Sequence, residues 1–296
     1  MYMRPPQKML LILMFLVVGF FSSTDSQAAH PLRLTDYSPQ SRVELEIGFG
    51  KMKFPLKADY IHYLLGVEAD VYRGLHLNIA IPFSGYNGAE GVDNFIRGNM
   101  LLGLSYKLPL LEWLSAGFGV RFYLPTYERA NSIDFGTGID PRRAVLAHWH
   151  YRFQYALEDS FPIVCEMAVK FEKYNFFAQL EGAFTWAPNI RERDGIDRKD
   201  NVLILQYGLG IGYDILGYVE INASITGLYD PAENARNIGD ILGLPYSSPR
   251  SLTVFTVGPR VQYKWAVFRF EANIPIEGDF RKMLEPYYLF ALQAQF

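Results

Sequence analysis

The chain has one cysteine in 296 residues, Cys165, so it forms no internal disulfide and is not a cross-linked secreted module. It has no excess of charge: 28 Lys and Arg stand against 31 Asp and Glu, and a net charge of -3 argues against nucleic acid as a partner. Beyond residue 28 it lacks any apolar stretch near the roughly 18 residues of a helical membrane span, which excludes that class of membrane protein. Histidine is scarce, with five in the chain. None begins a His-x-Ser pair or ends an Asp-x-His pair, the local arrangements used by some barrel hydrolases. Because catalytic groups are defined by geometry rather than order, this weakens an enzymatic reading without removing it.

What is present points to a membrane by another route. Half of the residues are hydrophobic and 16% are aromatic, yet the mean hydropathy is close to zero. That mixture suits a wall that is apolar outside, polar inside and girdled by aromatics at both interfaces. Residues 1–28 have the layout of a cleaved secretory signal: Arg4 and Lys8, an uncharged apolar run over 9–21, and the small residues of Ser26-Gln27-Ala28. The expectation is an exported chain whose residues 29–296 form one domain in the outer membrane of a Gram-negative bacterium.

The last ten residues carry the strongest pattern. Tyr288, Phe290, Leu292, Ala294 and Phe296 share one face of an alternating segment, and Ala291, Gln293 and Gln295 share the other. This ending resembles the C-terminal signal of bacterial outer-membrane barrels, which makes Phe296 the candidate assembly signal for the barrel-assembly machinery. The same period predicts strands near 41–51, 60–72, 75–83, 97–107, 113–125 and 144–157. It also predicts strands near 176–187, 202–213, 218–229, 251–264, 266–277 and 287–296, which makes twelve. The clearest internal one is 144–157, with Val145, Ala147, Trp149, Tyr151, Phe153, Tyr155 and Leu157 on one face and His148, His150, Arg152 and Gln154 on the other. Short connections at 73–74, 214–217 and 264–266 suit periplasmic turns. Long ones at 84–96, 126–143, 188–201 and 230–250 suit external loops, and 126–143 and 230–250 are long enough to fold over the mouth as lids.

The segment 162–172 disturbs this count, because a thirteenth strand would break the even parity of single-chain bacterial barrels. Read as a helix, it places Ile163, Met167 and Phe171 on one stripe and pairs Glu166 with Lys170. The expected fold is therefore all-β: an antiparallel transmembrane barrel of about twelve strands, with a short helix or irregular periplasmic segment near 158–175. Fourteen strands is the alternative.

Three stretches carry a family resemblance. His30-Pro31-Leu32-Arg33-Leu34-Thr35-Asp36 leads into Val43-Glu44-Leu45-Glu46. The others are the segments 73–83 and 98–107, the latter opening with Gly98-Asn99 where the family usually has Gly-Asp. Together they resemble the outer-membrane transporters named for the meta-cleavage pathway of phenol degradation. The resemblance implies a channel-like barrel for hydrophobic or aromatic compounds.

In a barrel the polar parity of each strand lines the lumen. The acids expected there are Glu44, Glu46, Glu68, Asp70, Glu181, Glu220 and Glu271; the bases are Arg42, Arg121, Arg152, Arg260, Lys264 and Arg269. Near balance argues against a strongly ion-selective pore and suggests ion pairs across the lumen. His148 and His150 sit two apart on one inward face, but a metal site needs three or more ligands and nothing local supplies a third. Gly117, Gly119, Gly208, Gly210 and Gly212 also face inward, which suggests either wall curvature or a smooth conduit along which Tyr123, Phe177 and Tyr218 contact a solute. The reading is a passive channel for small, hydrophobic or aromatic molecules, set among outer-membrane lipids, with no cofactor. A lipid- or peptide-cleaving barrel and a structural or adhesive barrel are the alternatives.

Overall fold

A strand in hydrocarbon has no water to satisfy its backbone, so a sheet survives there only if it closes on itself. In the computed structural model the described residues are 41–53, 58–87, 96–126, 153–157, 160–188, 202–215, 217–231, 251–276, 281 and 285–296. Their strands are β1 (Arg42–Met52), β2 (Ala58–Tyr72), β3 (Leu75–Asn87), β4 (Ile96–Arg97), β5 (Met100–Leu111) and β6 (Leu114–Leu124). Then follow β7 (Ile163–Lys173), β8 (Phe176–Ala187), β9 (Val202–Asp214), β10 (Val219–Tyr229), β11 (Ser251–Tyr263), β12 (Ala266–Pro275) and β13 (Tyr287–Gln295). Each long strand pairs antiparallel with its neighbours in chain order, and β1 pairs with both β2 and β13. The two-residue β4 continues β5 along β3, so the closed wall has twelve long strands.

The seam between first and last strands is built like the rest of the wall. Arg42 registers with Gln295 and Phe49 with Tyr288, and the Phe296 N–H donates to the Ser41 carbonyl at 2.9 Å. On the outer surface Phe49 stacks on Phe290 at 5.8 Å, and Phe270 of β12 meets Phe290 at 4.8 Å. Such cross-strand aromatic pairs stabilise a sheet by roughly 0.2–1 kcal/mol each. Five short connections, 73–74, 112–113, 174–175, 215–218 and 264–265, lie at the same end of the wall as Phe296. Arg73 and Gly74 both have positive φ, 39° and 86°, the mirror-image turn whose twist matches two antiparallel strands.

Two expectations fail, and they fail together. The segment expected as a periplasmic helix near 158–175 contains β7, a full wall strand over Ile163–Lys173. The segment 144–157 does not end as a strand: Phe153–Ala156 forms a single 3-10 turn, with Phe153 and Tyr155 buried. The stretch 144–152 lies outside the described residues. Dropping one strand and gaining another leaves twelve, and it places 125–162 as one connection at the end opposite the short turns. The helical reading of 162–172 rested on Ile163, Met167 and Phe171, but a spacing of four is even. Those residues therefore share a strand face as readily as a helix stripe. In β7 they point outward, while Val164, Glu166, Ala168 and Lys170 are buried inside.

The outer surface is apolar along the strands, with Leu104, Phe118, Met167, Leu180, Leu209, Ile221 and Phe268 exposed. Aromatics mark the turn end: Tyr72, Trp113, Tyr174, Tyr213, Tyr263 and Trp265 are all exposed there, as an interfacial girdle requires. Inside, one position tests the backbone spacing. A Cβ on Gly258 would run into the carbonyl of Phe270 on β12, whereas one on Gly66 would meet nothing closer than 3.9 Å. Gly258→Ala should therefore destabilise the barrel by about 1–3 kcal/mol, the range for overpacking. Gly66→Ala should leave the urea midpoint of the micelle-refolded protein, followed by mobility on unheated gels, within error of the parent.

Candidate functional site

Pairing registers give the lumen face directly. From Arg42, Glu44 and Glu46 on β1 through Leu289, Ala291 and Gln293 on β13, inward residues pair with inward residues around the whole wall. Charged groups on that face are removed from bulk water, and most are held against an opposite partner, while Glu181 accepts from the neutral Gln179 at 3.4 Å. Arg269 reaches from β12 past the small Ala291 to two acids of β1, with Nη2 3.0 Å from Glu44 and 3.1 Å from Glu46. Its Nε lies 3.3 Å from Glu271 on its own strand. Arg42 binds Glu68 at 2.9 Å, Arg121 binds Glu166 at 2.9 Å, and Arg260 faces Glu220 at 3.9 Å. His76 Nδ1 approaches Glu68 at 3.4 Å.

These pairs run along the wall, between neighbouring strands or strands one apart, and not across the lumen as the charge balance suggested. The inward glycines serve the same lattice. A Cβ on Gly119 would lie 2.5 Å from Glu166 Oε1, and one on Gly208 would lie 2.7 Å from Glu181 Oε1. His62 lies over Gly48, Tyr60 over Gly50, and Phe177 over Gly212. The glycine face is therefore a set of recesses in which large side chains lie flat, not a smooth conduit.

The connection across the lumen is made by the turn Phe153–Ala156. Asn99, fully buried where β4 gives way to β5, donates from Nδ2 to the carbonyls of Gln154 at 3.0 Å and Leu157 at 2.7 Å. Its backbone N–H donates to the Tyr155 carbonyl at 2.9 Å. Gln154 Nε2 in turn donates to Thr185 on β8 at 2.8 Å and Gln206 on β9 at 2.7 Å. The Tyr155 ring meets Tyr123 edge-on, with centroids 5.1 Å apart at 71°. It completes an apolar cluster with Leu64, Leu101, Val164 and Leu289 inside the wall. Two small cavities are found among the described residues. One, of about 70 Å³, is lined by Arg42, Glu44, Glu68, Arg121, Tyr155 and Arg269. The other, of about 20 Å³, is lined by Phe177, Asn222, Ser224, Thr256 and Glu271. Spaces of this size hold a few waters.

Of the residues expected in the lumen, Arg42, Glu44, Glu46, Glu68, Arg121, Glu181, Glu220, Arg260, Arg269 and Glu271 lie there and are shielded from solvent. Asp70 and Lys264 do not: Asp70 is exposed near the turn end of β2, and Lys264 sits in the β11–β12 turn with φ 53°. Their strand parity is inward, but the wall ends before they are enclosed. Tyr218, expected against a solute, is exposed in a turn. His148, His150 and Arg152 lie outside the described residues, as do both expected lid loops except residues 126, 230 and 231. Sequence reading missed Glu166 and Lys170 because their strand was taken as a helix. It placed Gln154 inward, where the structure has it, but missed Asn99, Thr185 and Gln206. Alternation over 163–171 was the available signal for Glu166 and Lys170; inward parity in the strand expected at 97–107 was the signal for Asn99, but nothing local marks its partners.

A closed antiparallel wall with an apolar outer band, aromatic girdles and a paired charge lattice inside defines an outer-membrane β-barrel, crossing the membrane with its strands. No family model matches the chain, and no curated protein does. Among solved structures, an outer-membrane channel from Pseudomonas putida F1 superposes with a TM-score of 0.61 at 12% identity, over 91% of this chain and 100% of that one. The NanC porin superposes with a TM-score of 0.53 at 8% identity, over 85% and 98%. At these identities the likeness shows the fold.

Removing one member of a buried ion pair strands its partners, at a cost of about 3–5 kcal/mol. Arg269→Met leaves Glu44, Glu46 and Glu271 without their shared cation and should lower unfolding stability by that amount. The exposed pair Lys51–Asp59, 3.9 Å apart, is the contrast: Lys51→Met should shift the same midpoint by no more than measurement error.

Proposed function

We propose that the protein is an outer-membrane channel for the passive passage of small apolar molecules, single-ring aromatics among them. One observation carries the reading: Leu64, Leu101, Tyr123, Val164 and Leu289 put apolar surface inside the wall. A water-filled porin has a polar interior. In the structure Tyr155 covers this surface; bared to water it would cost about 25 cal/mol per Å², and a solute that brings its own apolar surface would recover that cost. The charge lattice supports the same direction, because acids and bases already bound to each other offer little to a passing ion. The P. putida neighbour is named as an outer-membrane channel, and the resemblance of 73–83 and 98–107 to the meta-pathway transporters fits an aromatic cargo. Within this proposal the barrel-assembly machinery inserts the chain by its terminal strand and Phe296.

Uptake of radiolabelled toluene by intact cells, whose outer leaflet slows free diffusion of such solutes, tests the reading. Cells expressing the protein should take up toluene faster than cells lacking it, while arabinose uptake is unchanged. Equal toluene uptake in both would end the proposal. Release of fatty acid or peptide fragments by the refolded barrel would assign it to the hydrolases instead.

A further inference from the structure

Tyr155 is a side chain in an unusual position: it belongs to a turn between β6 and β7, yet its ring is buried inside the wall. Four side chains from four different strands, Leu64, Leu101, Val164 and Leu289, join it in one apolar cluster, and Tyr123 presents its ring edge-on, a favoured geometry for an aromatic pair. We propose that this cluster is a seat for one aromatic ring, that Tyr155 occupies it as an internal stand-in for the solute, and that Asn99 and Gln154 form the latch holding it there. The proposal rests on the channel reading above and deepens it, because it names the place where the solute competes with the chain.

Three features support a seat over ordinary packing. The wall is broken where it meets the turn: β4 and β5 are interrupted at Gly98 and Asn99, and Asn99, on the inward parity of Leu101 and Gly103, gives its backbone N–H to the Tyr155 carbonyl. Thr126 braces the break, its hydroxyl donating to the Gly98 carbonyl at 3.1 Å and accepting the Met100 N–H at 2.8 Å. The latch is made of neutral hydrogen bonds, from Asn99 to two carbonyls and from Gln154 to Thr185 and Gln206, whereas the charged lattice bonds wall strand to wall strand. Neutral bonds contribute modestly, each roughly 0.5–1.5 kcal/mol net, and exchange with water readily, which suits a contact that must open. Finally, the larger cavity is lined by Tyr155 with Leu64 and Leu101 of the cluster on one side and by Arg42, Glu44, Arg121 and Arg269 on the other, so the seat opens onto a polar space from which a solute can enter. An apolar recess vacated by an aromatic side chain takes up a small aromatic molecule from solution.

The test uses the tyrosine side chain as a free molecule, 4-methylphenol, and ion conductance of the full chain in planar bilayers. Wild type should be nearly silent. Tyr155→Gly should conduct, and 4-methylphenol should close it again in a saturable way, while cyclohexanol at the same concentration should not. Asn99→Asp, which removes the donor at constant size, should raise open probability by about tenfold, the shift for one or two lost hydrogen bonds. Mobility on unheated gels confirms folding, and should Tyr155→Gly misfold, Asn99→Asp carries the test alone. Folded variants as silent as wild type, or a conducting Tyr155→Gly indifferent to 4-methylphenol, would overturn the seat. If intact cells take up toluene through wild type and both variants at one rate, the channel stands and the seat falls. If none of the three takes it up, both fall.

Discussion

Everything in this barrel depends on the rule that no backbone N–H or C=O is left open to hydrocarbon. The sheet must close, and it closes where β1 meets β13, with Arg42 opposite Gln295 and Phe296 bonded to Ser41. Closure fixes parity: once the last strand turns Phe290 outward and Leu289 inward, every neighbour in register must follow. The registers obey this around the wall, from Glu44 and Gly66 to Arg260 and Glu220. The face of each wall residue is thus a consequence of the seam.

Closure also encloses a volume that must be filled, and three kinds of group fill it. Arginine and glutamate bond along the wall, centred on Arg269 with its three acids. Glycines provide recesses for the bulky neighbours that lie over them, as Gly119 does for Glu166. A turn from the connection between β6 and β7 then enters and adds Tyr155 to an apolar cluster. The same residues that stabilise the barrel therefore fill its lumen, and the neutral hydrogen bonds of Asn99 and Gln154 are the contacts whose loss leaves the wall itself paired.

Fold and the inward or outward face of most strand residues were legible because they rest on period two and on turn chemistry, both local. The terminal strand, the Arg73-Gly74 turn and most lumen charges follow from alternation alone. The confusion of 162–172 with a helix came from spacings of four, which are common to both periods, and the alternating stretch ending at 157 compensated for it in the count. The latch was not legible for a different reason. Asn99 is meaningful only beside Gln154 and Leu157, more than fifty residues away, and long-range hydrogen bonding leaves no period in the sequence. Asp70 and Lys264 show the remaining limit: parity gives the direction of a side chain, but the length of the wall decides whether it is enclosed.

The most direct measurement is the swelling of proteoliposomes containing the refolded wild-type barrel in an iso-osmotic arabinose solution. A lumen filled by the charge lattice and by Tyr155 predicts swelling no faster than that of protein-free liposomes. Swelling at the rate of an open porin would contradict it.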